Sequence, residues 1–437
     1  MSATLDSSLQ PQQKEKPTDI AALVPSQPPD GGLGAWCTVL GAFLIQVCNF
    51  GYTSSFGVYQ DFYVREYITN ASPSSISWIG SFNAFLLISG GVFAGRLYDR
   101  GFFYPLLWGG SILTVFSIYM LSLARPDHYY QVFLAQSLGA GLGGGLTYVP
   151  SVAIVSQYFT TKQALAMTIV ASGASIGAII HPIMLNNLFG RLGFGNTVRA
   201  SASVEAVLLL IACCLMKTRV STKKAALQDS KNIINSLSTD GAYIVAAFGL
   251  LIFSIGFYFP QFYIQLDATS HKLDKNLAFY SLIILNFASF FGRILPGFFA
   301  NTLGVMNMMI FATGACAAVI FGMIGLKDIP GVVLIALFYG FFAGTFVGLT
   351  SPMLVVLSRD IMSQLGIRMG IAFFFSGIGG LIGTPISGAL LTEEFNWWRP
   401  AVFCGVTSMV GSACFATALI ILKCRKRLAE DKGQNEA

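Results

Sequence analysis

Apolar runs of about twenty residues, parted by short polar breaks, recur along the whole chain. That is the length an α-helix needs to cross a hydrocarbon core. Twelve such runs are placed at 36–58, 74–95, 104–123, 130–158, 163–188, 199–216, 241–265, 276–300, 305–326, 331–357, 367–391 and 398–422. Several lie in long stretches without a charge, such as Gly31 to Gln60 and Tyr129 to Thr161. The runs are continuous and do not alternate residue by residue, which argues against a transmembrane barrel. The pattern predicts an all-α polytopic membrane protein of two six-helix halves.

The polar breaks set the organisation. Residues 1–35 begin "MSATLDSSLQPQQKEKPTDI", lack the apolar core of a secretory signal, and predict a disordered cytosolic N-tail. The longest internal polar segment, 217–240, predicts a cytosolic linker between an N-terminal half at 36–216 and a C-terminal half at 241–422. A basic C-tail follows at 423–437. Composition agrees with a membrane protein: 54% of residues are hydrophobic and 11% charged, against roughly 25% charged in soluble domains.

Charge gives the orientation. With both termini cytosolic, 17 of the 26 lysines and arginines fall inside, eight fall outside, and Arg293 lies within a span. The positive-inside rule favours this topology. The formal charge of +6 follows from that bias and is no nucleic-acid footprint. The basic end "LKCRKRL" suits contact with anionic lipid. The eight cysteines fall nearly all within or beside spans, so no disulfide framework is implied. Cys424 is a candidate for palmitoylation, though a plain helix-end thiol is the simpler reading. Asn70, in "NAS" on the outer side, fits the glycosylation acceptor pattern, with Pro73 next after it.

The halves echo one another. Gly90, Gly95 and Asp99 correspond to Gly292, Gly297 and Asn301 at a constant offset of 202 residues. On the same offset Arg293 corresponds to Gly91. Spans five and eleven share Ser-Gly followed by Pro: Ser172, Gly173 and Pro182, then Ser376, Gly377 and Pro385. Such repeats point to a duplicated transporter.

"GRLYDRG" after span two resembles the cytosolic loop motif of the major facilitator superfamily, through Gly95, Leu97, Asp99 and Arg100; the motif's closing basic pair is absent. The resemblance implies a latch between halves, with Asp99 facing the positive end of a helix and Asn301 as its repeat. "PDGGLGAW" at 29–36 resembles the lead into helix one of the monocarboxylate porter family, with one extra residue before Trp36. "YFTTKQALAMTIVASGASIG" at 158–177 resembles that family's second signature through Tyr158, Phe159, Lys162, Leu165, Ala166, Gly173 and Gly177. The combination is most similar to the family's fungal branch. Independently, Gly141 and Gly145 in span four, and Gly173 and Gly177 in span five, have the small-xxx-small spacing that lets helices approach closely.

Ionisable residues within spans are functional candidates. Arg293 sits five to seven residues from a helix end, roughly 8–11 Å along the axis. Snorkelling that far strains the stem, so a cation facing a cavity is the functional reading. Its planar fork suits a carboxylate, and the resemblance puts it on the porters' helix-eight arginine. Ser289 stands one turn earlier where those porters carry Asp, and "NFGYTSSFG" lacks their lysine, so their proton-coupled lactate mechanism does not carry over. His181 can change charge near neutral pH; a neutral hydrogen-bonded histidine is the plainer alternative. Glu205, six residues past Arg199, is expected to pair peripherally or face water. Gln46, Asn49, Tyr52, Asn83, Tyr148, Tyr258, Asn286 and Ser376 are neutral candidates for the solute path.

The expected activity is transport of a small organic acid or related metabolite by alternating access, with direction open. The alternatives are export of a secondary metabolite, import of a vitamin such as riboflavin, or a transporter-derived sensor. HExxH and Walker motifs are absent, and no acidic pair lies within the spans, which argues against an enzyme or an ATP-driven pump. The expected partners are an anionic solute, the bilayer and, as an option, a coupling proton. A monomer in the plasma membrane, without cofactor or metal, completes the expectation.

Overall fold

The computed structural model describes residues 29–219, 239–270, 275–326, 328–391 and 396–435. Most of the expected N-tail and linker therefore lies outside the described residues. All regular structure among the described residues is helical. Among the described residues eleven helices are long and apolar enough to cross a membrane. One of them, Gln163–Leu215, has 53 residues, about 80 Å at 1.5 Å per residue and far more than one bilayer core. It breaks at Gly193, whose φ of 69° and ψ of 176° are non-helical and suit a residue without Cβ. Divided there, the eleven become the expected twelve.

In chain order they are α1 (Leu33–Ser54), α2 (Pro73–Ser89, continued by Gly91–Asp99), α3 (Phe103–Leu121), α4 (Ala140–Ala153), α5 (163–192), α6 (194–215), α7 (Gly241–Phe257), α8 (Lys275–Leu303), α9 (Val305–Gly322), α10 (Ile329–Leu357), α11 (Leu365–Leu391) and α12 (Trp398–Asn435). Helix starts follow capping chemistry. Ser72 accepts from the Ser75 amide at 3.2 Å ahead of α2, and Asp328 accepts from Gly331 at 3.0 Å ahead of α10; each helix has proline in its first turn. Large apolar side chains such as Phe93, 75% exposed, and Phe311, 69% exposed, stand on the outer surface, where a bilayer supplies the apolar solvent.

Glycines set the closest approaches within the N-terminal half. A Cβ at Gly145 of α4 would stand 2.6 Å from the Leu86 carbonyl of α2, and one at Gly141 would meet the Asn83 carbonyl at 3.1 Å. On α5, Cβ atoms at Gly173 and Gly177 would run into the Phe43 and Val47 carbonyls of α1. The two stretches that resemble one family also meet. The Asp30 carboxylate accepts from the Thr160 amide at 2.5 Å and the Thr161 amide at 2.8 Å. Beside them the Trp36 and Phe159 rings pack edge to face at 5.3 Å.

One charge sits deeper than the sequence suggests. Arg368 counts as a cytosolic charge at the start of a span, yet it is fully buried. It donates to Asp240 at 2.9 Å and to the Leu357 carbonyl at 3.0 Å, and lies 4.8 Å from the centre of the Tyr243 ring. The Tyr243 hydroxyl donates back to the Arg368 carbonyl. Asp240 also accepts from the Tyr243 amide, capping α7. This clasp ties the start of α7 to the start of α11.

Candidate functional site

A cavity of about 820 Å³ lies between the halves. Its walls come from α1, α2, α4 and α5 on one side and α7, α8, α10 and α11 on the other. Its mouth carries Asp61 and Arg65, an exposed ion pair at 2.8 Å. Phe50, Phe257, Phe346 and Phe373 are among the residues of its wall.

Arg293 lines this cavity. One terminal nitrogen donates to the Ala171 carbonyl of α5 at 2.6 Å, so the side chain bridges the halves. Its Nε is buried and unpartnered, leaving donor capacity in a guanidinium that has five N–H groups. Tyr148 and Tyr258, both in the lining, are within electrostatic reach of that cation. Tyr148 is wedged between Phe50 and Phe373, with ring centres 5.1 and 5.0 Å away. Ser289 bonds across the halves to Ser175 at 3.4 Å, and Ser376 bonds to Ser254 at 2.8 Å. The Asn286 amide is spent on the Leu282 carbonyl of its own helix at 2.9 Å; its carbonyl oxygen remains for a ligand.

Gln46 also lines the large cavity, but Asn49, Asn83 and His181 lie elsewhere. Asn49 and Asn83 belong to a second cavity of about 10 Å³ inside the N-terminal half, with Tyr52, Thr53 and Thr114. There Asn49 donates to Thr147 at 2.9 Å, and Asn83 accepts from Thr53 at 2.8 Å and donates to the Gln136 carbonyl at 2.8 Å. His181 is 1% exposed and takes no part in lining the large cavity. Glu205 neither pairs at the periphery nor faces water. It is fully buried, both oxygens lack a partner, and Arg199 bonds instead to Asn196.

Away from the mouth the halves are closed by two contacts related by the repeat. Asp99 accepts from the Gly366 and Ile367 amides at 2.9 and 2.7 Å, at the start of α11, where the helix dipole favours an anion. Gly95 lies so near Gly366 that a Cβ would strike its carbonyl. The counterpart residues do the same with opposite polarity. Asn301 donates to the Thr161 carbonyl at 2.7 Å ahead of α5, and Gly297 packs on Leu165 and Thr168. Arg100 is exposed and bonds to neither partner helix among the described residues. Asn70 is exposed, with its amide donating to the Asp127 carbonyl at 2.9 Å. Cys424 is an exposed free thiol.

A family model described as Major Facilitator Superfamily matches residues 32–363. The chain is 37% identical over 394 residues to the MFS-type transporter dbaD of Emericella nidulans, covering 89% of this chain and 87% of that protein. It is 33% identical to the aspyridones efflux protein apdF of the same organism, over 88% of this chain and 77% of that one. It is also 33% identical to the agnestins efflux protein AgnL12 of Paecilomyces divaricatus, over 94% and 95%. Among solved structures, the E. coli fucose:proton symporter FucP matches with a TM-score of 0.69 at 14% identity, over 88% of this chain and 98% of that one. The human organic anion transporter MFSD10 matches with a TM-score of 0.63 at 16% identity, over 89% and 98%.

Proposed function

The chain belongs to the Major Facilitator Superfamily and is a transporter, and from that premise we propose that it exports an anionic secondary metabolite. The observation that carries this reading is the cavity of about 820 Å³ in which Arg293 stands among aromatic side chains, while the other guanidinium of the lining, Arg65, is paired with Asp61. That volume lies in the range that holds drug-sized ligands and far exceeds what a three-carbon acid fills. Arg293 gives a carboxylate or enolate a charged anchor, and Tyr148, Tyr258, Asn286 and Ser376 give orientation. The outward direction is supported by the relatives named for efflux of aspyridones and agnestins. Asn49, Asn83 and His181 shape the neighbouring helices in this reading and do not touch the solute.

Alternating access follows from the two closing contacts. Asp99 on α11 and Asn301 ahead of α5 hold one end shut, and exchange of those contacts for closure at the mouth turns the cavity around. In this reading both termini lie on the latched, cytosolic side of the plasma membrane, and the working unit is a monomer of two six-helix halves joined by the 217–240 linker. Within the superfamily, the stretches at 29–36 and 158–177 support a place beside the monocarboxylate porters.

The test uses inside-out membrane vesicles offered aspyridones, agnestins and lactate. ATP-independent uptake of at least one of the first two, lost in Arg293→Ala, is expected. Lactate carried in preference to both, or a transported anion indifferent to Arg293→Ala, overturns the reading.

A further inference from the structure

The large cavity leaves one buried carboxyl unexplained. Glu205 on α6 is fully buried, and neither oxygen has a partner. Isolated burial of an ionised carboxylate is far costlier than burial of the neutral acid. Within electrostatic reach of it are the Cys48 thiol and Tyr52 hydroxyl of α1, and the Tyr59 hydroxyl of the segment after α1. Helix α3, which also packs here, has no charged residue between Phe103 and Leu121. On α6 itself Arg199 is turned to Asn196, and Thr197 and Ser201 repeat at four-residue spacing on the face of Glu205. The hydroxyls of Tyr52, Tyr59, Thr197 and Ser201 are all buried and unpartnered. A carboxyl is thus set among hydroxyls that can relay a proton and beside no cation that could hold it ionised.

This polar pocket leads toward the solute cavity. Tyr52 lines the small cavity of about 10 Å³, room for about one water. Thr53 lines that cavity and the large one alike. The single Thr53 hydroxyl proton is shared between the Asn49 carbonyl at 3.0 Å and the Asn83 side-chain oxygen at 2.8 Å, which keeps the hydroxyl at the boundary. Tyr52, within electrostatic reach of Glu205, and Thr53, at the edge of the large cavity, thus line the same small cavity.

We propose that Glu205 is a proton-binding site that exchanges its proton with the central cavity through Tyr52 and the small cavity bounded by Thr53. In the release step Tyr52 and Glu205 close to the hydrogen-bond distance that they do not hold at rest, the Glu205 O–H bond breaks, and its proton passes to the Tyr52 oxygen. The proton of Tyr52 passes to water in the small cavity and on past Thr53. The net change is one proton gained by cavity water and one carboxylate left at Glu205; binding runs the same steps in reverse. The site holds whatever the solute is.

The experiment is infrared difference spectroscopy on the full chain in lipid vesicles near neutral pH, with exchange from H₂O to D₂O. A protonated carboxylic acid band is expected that shifts in D₂O and is lost in Glu205→Gln. Deuteration of that band is expected to slow roughly tenfold in Tyr52→Phe, about the worth of one neutral hydrogen bond. It should keep its native rate in Tyr119→Phe, whose hydroxyl bonds to Ser203 on the outer face. If Glu205→Gln removes no such band, the carboxyl is ionised or silent and the site is refuted. Native exchange in Tyr52→Phe refutes the route. Neither readout needs a transported compound, so failure to find the exported solute leaves the result decisive.

Discussion

At the scale of single residues, Arg293 shows how one side chain serves two partners. It donates to the Ala171 carbonyl across the halves and keeps an unpartnered Nε beside the cavity. Loss of one charge-assisted hydrogen bond costs about 1.5–3 kcal/mol. Arg293→Ala is therefore expected to weaken half-saturation for the transported anion about 10- to 150-fold. Arg293→Lys keeps the charge but loses the planar fork and should fall between native and Ala. Concentration-dependent uptake in vesicles measures both; a lysine variant as poor as alanine would make the fork, and not the charge, decisive. Asp30 supplies a pH test outside the membrane. Burial alone would raise its carboxyl, but hydrogen bonds from Thr160 and Thr161 hold it down at about 2 from an ordinary 3.8. With the folded value below the unfolded one, its stabilisation is present above about pH 4 and is lost as pH falls through about 2. Asp30 has a φ of 50°, which Asn tolerates, so Asp30→Asn removes charge without backbone strain. Thermal unfolding of the two proteins should differ near neutral pH and converge on acidification; a constant gap would mean the charge contributes nothing.

At the scale of helices, the closing contacts rest on where α11 begins. Asp99 binds two amides there, and the Arg368–Asp240–Tyr243 clasp fixes the same turn to α7. Asp99→Asn gives up the charge in both bonds and is expected to shift the population away from the closed latch by roughly tenfold or more, at about 1.5–3 kcal/mol for a charged hydrogen bond. Gly95→Val should act more strongly, because its Cβ collides with the Gly366 carbonyl. Thiol labelling of a cysteine placed at Gln60 in the mouth, with native cysteines replaced, reads the shift as slower modification; unchanged labelling in both variants would remove the latch from the mechanism. Arg368→Met leaves Asp240 short of its main buried partner, and breaking such a pair costs about 3–5 kcal/mol. The paired variant Arg368→Met with Asp240→Leu should recover part of that loss in thermal unfolding. Recovery of none would mean the Tyr243 ring and the α7 cap, and not the ion pair, hold α11 in place.

At the scale of the whole molecule, hydropathy alone places twelve spans, and the 202-residue echo finds the closing contacts from Gly95, Asp99, Gly297 and Asn301. Facing is what stays hidden. A helix apolar on all sides carries no stripe to orient it, so Asn49 and Asn83 read as cavity residues although they turn to the small internal space. Glu205 reads as peripheral for the same reason. The turn between α5 and α6 rests on the φ of Gly193, which no spacing announces. Arg368 is hidden differently: only its neighbours Asp240 and Tyr243, more than a hundred residues away in sequence, make burial tolerable. The duplicated organisation makes a last prediction. The halves meet at named inter-half contacts, Asp99 on α11, Asn301 on Thr161 and Arg293 on Ala171, and none of these uses the linker. A chain divided within 220–238 and expressed as two pieces is therefore expected to copurify and transport. Asp99→Asn with Asn301→Ala should weaken that association in the divided chain while leaving the joined chain folded, since the linker keeps the effective concentration high. If the pieces fail to associate even with native contacts, the linker does more than join the halves, and the assignment of 217–240 as a simple connection falls.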